Sequence, residues 1–248
     1  MVYKGTADSD DQYILQLQCK FKATHLSCGL GCVNHYDRWL TQRSTGGLGG
    51  AGTAIAKALI SDGGYVVLFD VIEQSAGEQA ASKHGSRVKY VKCDITNEDD
   101  TRRAVKTAAA AFEGKLSGVV HCAGVALAQP WTNRICDHIQ RFKKMIDINT
   151  VGTFIVNGLV ADAINERYEP EKMAKGEFFT TKEERGVIIN FSSVAKDGIA
   201  RVLCYGPTKA GSHGVGVAMS DFLAPSGRCT GMCEVHSLTH SQAFVSIL

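Results

Sequence analysis

Thr45-Gly46-Gly47-Leu48-Gly49-Gly50-Ala51-Gly52 is the stretch from which the architecture is read. It runs into Ala54–Leu59, where Ile55 and Leu59 recur at helical spacing. Glycines at such a turn permit positive φ and let backbone N–H groups come close to a bound group. The helix that follows adds partial positive charge at its N-terminus. Turn and helix together suit an anion such as a pyrophosphate. Gly52, lacking a side chain, lets the helix pack tightly on a sheet. Taken alone, the same glycines also fit a flexible loop before an amphipathic helix.

Moving outward, Tyr65–Phe69 (YVVLF) is an apolar run bounded by Gly64 and Asp70, and it reads as a buried strand. Ile72–His84 reads as a helix stopped by Gly85, and Val88–Cys93 as a third strand. Thr96, with Asp99 three residues on, has the pattern of a capping box for the next helix. Ala104, Val105, Ala108 and Phe112 give that helix its apolar face. Leu116–His121 is a short strand. Ile135–Asn165 is helical, with Phe142, Ile146, Phe154 and Leu159 expected to face inward. Residues 166–185 are charged and loop-like, Val187–Phe191 is a buried strand, and Tyr205–Leu223 is a helix stopping at Pro225. Strand and helix thus alternate from 45 to 223, which implies a parallel sheet with helices on both faces.

Asp70 ends the second strand, twenty residues after Gly50. A carboxylate there accepts hydrogen bonds from ribose hydroxyls and repels a 2′-phosphate. Residues 47–49 offer no cation to receive such a phosphate. The competing role for Asp70 is a helix N-cap. These features predict a coenzyme site for NAD rather than NADP.

Bulk composition narrows the partners. The 248 residues are 44% hydrophobic and 21% charged, as in ordinary globular chains. Twenty-seven Lys and Arg against 25 Asp and Glu leave a formal charge of +2, which gives no electrostatic case for nucleic acid or an anionic membrane. No apolar run approaches the roughly 18 residues needed to span a bilayer. Asp8, Asp10 and Asp11, with no apolar region behind them, do not suit a signal peptide or a mitochondrial transit peptide. A soluble, cytoplasmic chain is the expectation, with mitochondrial or peroxisomal placement left open. Nine cysteines, with Cys28 and Cys32 and then Cys229 and Cys233 spaced four apart, form neither a disulfide framework nor a zinc knuckle, so free thiols and no metal are expected.

Tyr205 and Lys209 lie four apart on one helix face. A nearby ammonium favours the phenolate and should lower the phenol's pKa from its usual value of about 10. A tyrosine so tuned exchanges a proton with a reacting oxygen. Ser192 and Ser193 end the preceding strand, where α/β sheets bind ligands. A serine hydroxyl there holds a carbonyl, or merely satisfies a turn. Asn149 is a polar residue in an apolar helical stretch, and its alternative role is an internally bonded amide.

Together these residues resemble the short-chain dehydrogenase/reductase family over about 45–228. The Thr-Gly-x-x-x-Gly-x-Gly turn lies at 45–52 and the acidic selector at Asp70. His121-Cys-Ala-Gly124 is similar to the family's Asn-Asn-Ala-Gly stretch but departs at its first two positions. The resemblance implies a doubly wound, Rossmann-type α/β parallel sheet in a single domain. It implies a catalytic tetrad of Asn149, Ser193, Tyr205 and Lys209. NAD would be held by Gly46, Leu48, Gly50, Gly52, Asp70, Asp94, Ile95, Ala123, Gly124, Tyr205 and Lys209. Ser193 precedes Tyr205 by one residue fewer than is usual; Ser192 restores the count and is held in reserve. Within the family the chain looks most like the type 2 3-hydroxyacyl-CoA dehydrogenase branch, on residues 186–195 and 221–227. A hydroxyacyl thioester or hydroxysteroid-like small-molecule substrate and a homo-oligomer are implied.

Both ends depart from that pattern. Residues 37–44 (DRWLTQRS) do not suit the central strand of a sheet covered on both faces. Nothing after Arg228 reads as the closing strand and substrate loop. The expectation is therefore a defective first strand and missing C-terminal strands, with segments 1–44 and 229–248 atypical. The alternative function is an inactive truncated or spliced form that binds coenzyme or a partner subunit.

Overall fold

The structure is a computed structural model that describes residues 41–45, 47–112, 116–127, 132–198, 202–239 and 242–247. The Cys28–Cys32 pair and Gly46 lie outside the described residues.

Seven strands form one sheet: β1 (Thr41–Thr45), β2 (Tyr65–Asp70), β3 (Val88–Lys92), β4 (Gly118–His121), β5 (Gly186–Ser193), β6 (Arg228–Thr239) and β7 (Gln242–Ile247). Their order is β3-β2-β1-β4-β5-β6-β7. All neighbours run parallel except β7, which is antiparallel to β6. The helices are α1 (Gly50–Ser61), α2 (Gln74–Ser82), α3 (Glu98–Ala110), α4 (Ile139–Ile146), α5 (Gly152–Tyr168), α6 (Pro170–Lys175) and α7 (Tyr205–Leu223). The expected doubly wound parallel sheet is the observed fold.

Strand β2 shows why two layers of helix are needed. Successive side chains of a strand point to opposite faces. Val67 and Phe69 join the larger core with Val105 of α3, Val119 of β4, Val156, Val160 and Ile164 of α5, and Ile188 of β5. Val66 and Leu68 join a second cluster with Ala56 of α1, Ala81 of α2, and Val88 and Tyr90 of β3. The YVVLF run is apolar throughout because neither face meets water.

Both expectations about the ends are corrected. The first strand is present: Thr41–Thr45 pairs with β2 from Thr41↔Tyr65 to Thr45↔Phe69, and with β4 at Ser44↔Val120 and Thr45↔His121. A parallel ladder is made by backbone groups, and within Thr41–Thr45 Arg43 is the one charged residue. The C-terminal strands are present too. The edge of β5 offers a full row of backbone donors and acceptors, and β6 covers it from Gly186↔Arg228 to Ser193↔Val235. The polar, glycine-containing stretch 228–239 hid a strand whose pairing is set by its neighbour.

Three smaller readings also change. The cap of α3 is Asn97, whose side chain accepts from the Asp100 N–H, rather than Thr96. Phe142 and Phe154 are exposed, while Leu159 is buried as expected. The buried residue of α4 is Met145, and a π turn at Asp147–Val151 then inserts a residue and rotates the register of α5. The charged stretch 166–185 is partly helical, as α5 runs on to Tyr168 and α6 follows with Pro170 in its first turn.

Candidate active site

The carboxyl ends of β1, β2, β4 and β5 converge, which is where open α/β sheets place their ligands. The glycine turn between β1 and α1 is pinned from beneath. Gly47 N–H donates to Phe69 O at 2.9 Å and Leu48 N–H donates to Asp70 Oδ2 at 3.1 Å. The other oxygen of Asp70 accepts from Val71 N–H at 2.8 Å. Asp70 therefore fixes the turn as well as facing the site.

Helix α1 begins behind Gly49 with no side chain capping it, so its first N–H groups are offered outward. A Cβ built on Gly50 would meet nothing within 4 Å. The protein's own packing does not demand a glycine there, and the open space leaves room for a bound group beside the helix N-terminus. Gly52 is buried in α1 against the sheet. These features fit a dinucleotide coenzyme.

Asp94 is exposed beyond β3, and its Oδ1 accepts from Thr96 N–H at 2.9 Å and Thr96 Oγ1 at 2.7 Å. Ile95 is buried and packs where a Cβ on Gly152 would stand, 2.8 Å from Ile95 Cδ1. Its side chain thus belongs to the core, leaving its backbone for any coenzyme contact. Ala123 and Gly124 follow β4. A Cβ on Gly124 would lie 3.1 Å from Lys209 Nζ and 3.2 Å from Asn149 Oδ1, so the glycine makes room for both.

Asn149 is fully buried in the π turn. Its Nδ2 donates to Val125 O at 2.9 Å and to Thr208 Oγ1 at 2.8 Å, and its Oδ1 accepts from Val125 N–H at 2.8 Å. The amide is fully engaged as a clamp between the β4 loop and α7.

The structure separates the two serines. Ser192 is buried and its hydroxyl donates to Lys209 O at 3.3 Å. Ser193 lies on the opposite face of β5, where its side chain acts on the Tyr205 phenol and accepts from Ala195 N–H at 3.2 Å. Ser193, not Ser192, stands beside the phenol.

Lys209 is buried beneath Tyr205, with Nζ donating to Phe191 O at 3.0 Å and lying 5.9 Å from the Tyr205 ring centre. Burial lowers its pKa to about 8, against a smaller opposing effect of Cys122. The expected depression of the Tyr205 pKa is corrected. Burial raises it, and the Ser193 hydrogen bond offsets that only in part. The lysine lies beyond hydrogen-bonding reach of the ring and is itself desolvated, so its field does not dominate.

Three residues not singled out in the sequence complete the site. Thr208 Oγ1 receives the Asn149 amide and donates to Tyr205 O at 2.8 Å. From below, buried Thr153 donates its hydroxyl to the Asn149 carbonyl and contacts the ring of His121. The available signals were weak: Thr208 precedes Lys209, and Thr153 is one helical turn beyond Asn149. Cys93, Cys122, Cys136 and Cys204 are free thiols.

Residues 44–238 match the short chain dehydrogenase family. The chain is 34% identical over 187 residues to the Homo sapiens protein 3-hydroxyacyl-CoA dehydrogenase type-2, covering 74% of this chain and 67% of the relative. It is 35% identical over 187 residues to the Drosophila melanogaster protein of the same name, covering 74% and 69%. Among solved structures, a short-chain type dehydrogenase/reductase from Mycobacterium ulcerans superposes with a TM-score of 0.64 at 26% identity, over 79% of this chain and 67% of that one.

Proposed function

Because this chain belongs to the short chain dehydrogenase family, a family of oxidoreductases that use nicotinamide coenzymes, we propose that it is an NAD-dependent oxidoreductase acting on a secondary alcohol or the corresponding ketone. The observation that carries the reading is the arrangement of Ser193 and Tyr205 at the carboxyl end of β5, above the buried Lys209, whose Nζ lies 5.9 Å from the Tyr205 ring centre.

When bound, the coenzyme supplies the hydride acceptor. Gly46, Leu48, Gly50 and Gly52 would hold its phosphates, Asp70 its ribose, Asp94 and Ile95 its adenine end, and Ala123, Gly124, Tyr205 and Lys209 its nicotinamide end. Ser193 orients the substrate oxygen. Tyr205 takes the hydroxyl proton in oxidation and returns it in reduction. Lys209 stands behind Tyr205 and hands protons onward, and Asn149 keeps the two halves of the site in register. The carboxylate of Asp70 favours NAD by repelling a 2′-phosphate.

The substrate class follows the named relatives, 3-hydroxyacyl-CoA dehydrogenases type-2. A hydroxyacyl thioester or a hydroxysteroid-like alcohol is the proposed substrate. Ile139 and Phe142 on α4, with Phe154 on α5, are exposed apolar side chains that support a homo-oligomer. Among the described residues no helix is long and apolar enough to cross a membrane.

The test is reduced-coenzyme formation by the full chain on a panel of secondary alcohols that includes a 3-hydroxyacyl thioester, run with NAD and with NADP. Turnover with NAD is expected. Binding of NAD without turnover on any member of the panel would reduce the protein to a coenzyme binder and overturn the reading.

A further inference from the structure

A line of hydrogen bonds reaches the site from beneath and plays no part in the chemistry above. Thr153 Oγ1 lies 2.6 Å from the backbone carbonyl oxygen of Asn149 and 3.0 Å from Nε2 of His121. His121 is 2% exposed, Thr153 1% and Asn149 0%. A carbonyl oxygen only accepts, and a threonine hydroxyl carries a single proton. That proton goes to Asn149. The bond between Thr153 and His121 must then be donated by the ring, which fixes the tautomer as Nε2–H. The line has one direction, from His121 to Thr153 to the Asn149 carbonyl.

Asn149 sits within a π turn, where the carbonyl ladder changes its spacing and a side-chain donor can take over a carbonyl. On its other side the Asn149 amide donates to Thr208 Oγ1, which donates to the carbonyl of Tyr205. Thr150 Oγ1 bonds the Thr208 carbonyl at 3.0 Å, so the first turn of α7 is bolted to the π turn twice. Displacing the Asn149 carbonyl therefore displaces the turn that carries Tyr205 and Lys209.

We infer that His121 is a positioning residue, a neutral Nε2–H donor that fixes Thr153 and through it the Asn149 carbonyl and the catalytic turn. Its consequence for turnover rests on the oxidoreductase reading; the bond itself does not. Burial first, and then the nearby charge of Lys209, keep the ring neutral. Glutamine carries an amide N–H at a comparable reach, and leucine offers no donor at all. Thr153→Val removes the hydroxyl with little change of volume, and Thr153→Ser restores it.

The experiment uses the full chain, with nitrogen-labelled histidine and asparagine for magnetic resonance and parallel steady-state kinetics. The wild type should show His121 as a neutral ring protonated at Nε2. Thr153→Val and His121→Leu should shift the Asn149 side-chain amide signals and lower kcat roughly tenfold or more, since small misplacements of reacting groups are costly. Coenzyme affinity should stay within about twofold, because the substitutions lie away from the phosphate turn. Thr153→Ser and His121→Gln should recover both signals and rate. An Nδ1–H tautomer in the wild type overturns the inference. So do Asn149 signals and kcat that do not move in Thr153→Val, the mildest of the changes. A wild type that turns over nothing sinks the oxidoreductase reading, while the tautomer and the Asn149 signals still decide this one.

Discussion

Tyr205 and Asp70 carry the clearest residue-level consequences. Removing the phenol oxygen leaves the ring packing over Lys209 and removes the hydroxyl on which Ser193 acts. Tyr205→Phe should therefore lose about 10²–10⁴-fold in turnover, the usual contribution of a general acid–base. Coenzyme affinity should be nearly unchanged; steady-state rates set against a binding titration check both halves. Asp70→Ala should narrow the preference for NAD over NADP, because the carboxylate no longer repels the 2′-phosphate. It should also weaken both coenzymes, since Leu48 N–H loses its acceptor and the turn loosens. Titrating both coenzymes against both proteins tests this, and an unchanged ratio of affinities would remove Asp70 as the selector. His121 links the site to stability. Its folded pKa is about 3, lowered by burial and then by Lys209, against an ordinary value near 6.5. Between those values the unfolded chain binds the extra proton, so this group's stability is complete above about pH 6.5 and is lost as pH falls toward 3, by up to ~1.4 kcal/mol per unit. Replacing His121 with Gln should flatten that part of the profile when denaturant unfolding is followed from pH 7 to 4. Identical slopes in the two proteins would show that the ring does not titrate as a buried group. The pairing of Tyr205 with Lys209 was legible because helical spacing alone puts them on one face. His121 and Thr153, 32 residues apart, were not, because only the packing of α5 on β4 joins them.

Among the elements, α2 and β3 meet where the chain leaves no slack. A Cβ on Gly77 would stand 2.1 Å from the Tyr90 ring. The ring cannot swing aside, because Tyr90 Oη, with its single proton, is held 2.8 Å from the carbonyl oxygens of both Asp70 and Ile72. Gly77→Ala should cost roughly 1–3 kcal/mol, the range for overpacking a tight contact. It should weaken NAD binding as well, because the displaced phenol holds the backbone of Asp70. Urea unfolding and a coenzyme titration measure the two effects, and a variant as stable as the wild type would mean that α2 shifts freely on β3. Elements with dense local signals were legible: the YVVLF run of β2, and the length of α7 from Tyr205 to Leu223. The phase of α4 and α5 was not, because a π turn is one inserted residue with no composition of its own. Strands β1 and β6 were missed for a different reason. Their pairing comes from neighbours distant in sequence, whose unpaired backbone groups must be satisfied, and neither segment advertises a strand by apolar content.

At the scale of the whole molecule, the sheet is continuous only because β1 joins two halves. On one side stand β2 and β3, and on the other β4, β5, β6 and β7. Helices cover both faces, and strands so placed are ordinarily apolar. The segment that fills the gap, Thr-Gln-Arg-Ser-Thr, has no apolar residue. Its contribution is therefore the backbone ladder, five residues long against β2 and two against β4. Two substitutions at one residue separate ladder from side chain. Arg43→Pro removes a backbone donor from the central strand and should prevent folding, since proline is not tolerated inside a sheet. Arg43→Ile keeps the ladder and exchanges a charge for a β-branched apolar group suited to that place. It should raise the unfolding free energy by up to about 1 kcal/mol, the span of strand propensities. Soluble yield reports the first and urea unfolding the second. If Arg43→Ile is no more stable than the wild type, strand propensity does not limit the stability of β1. If Arg43→Pro folds and binds NAD, β1 is not what joins the two halves of the sheet.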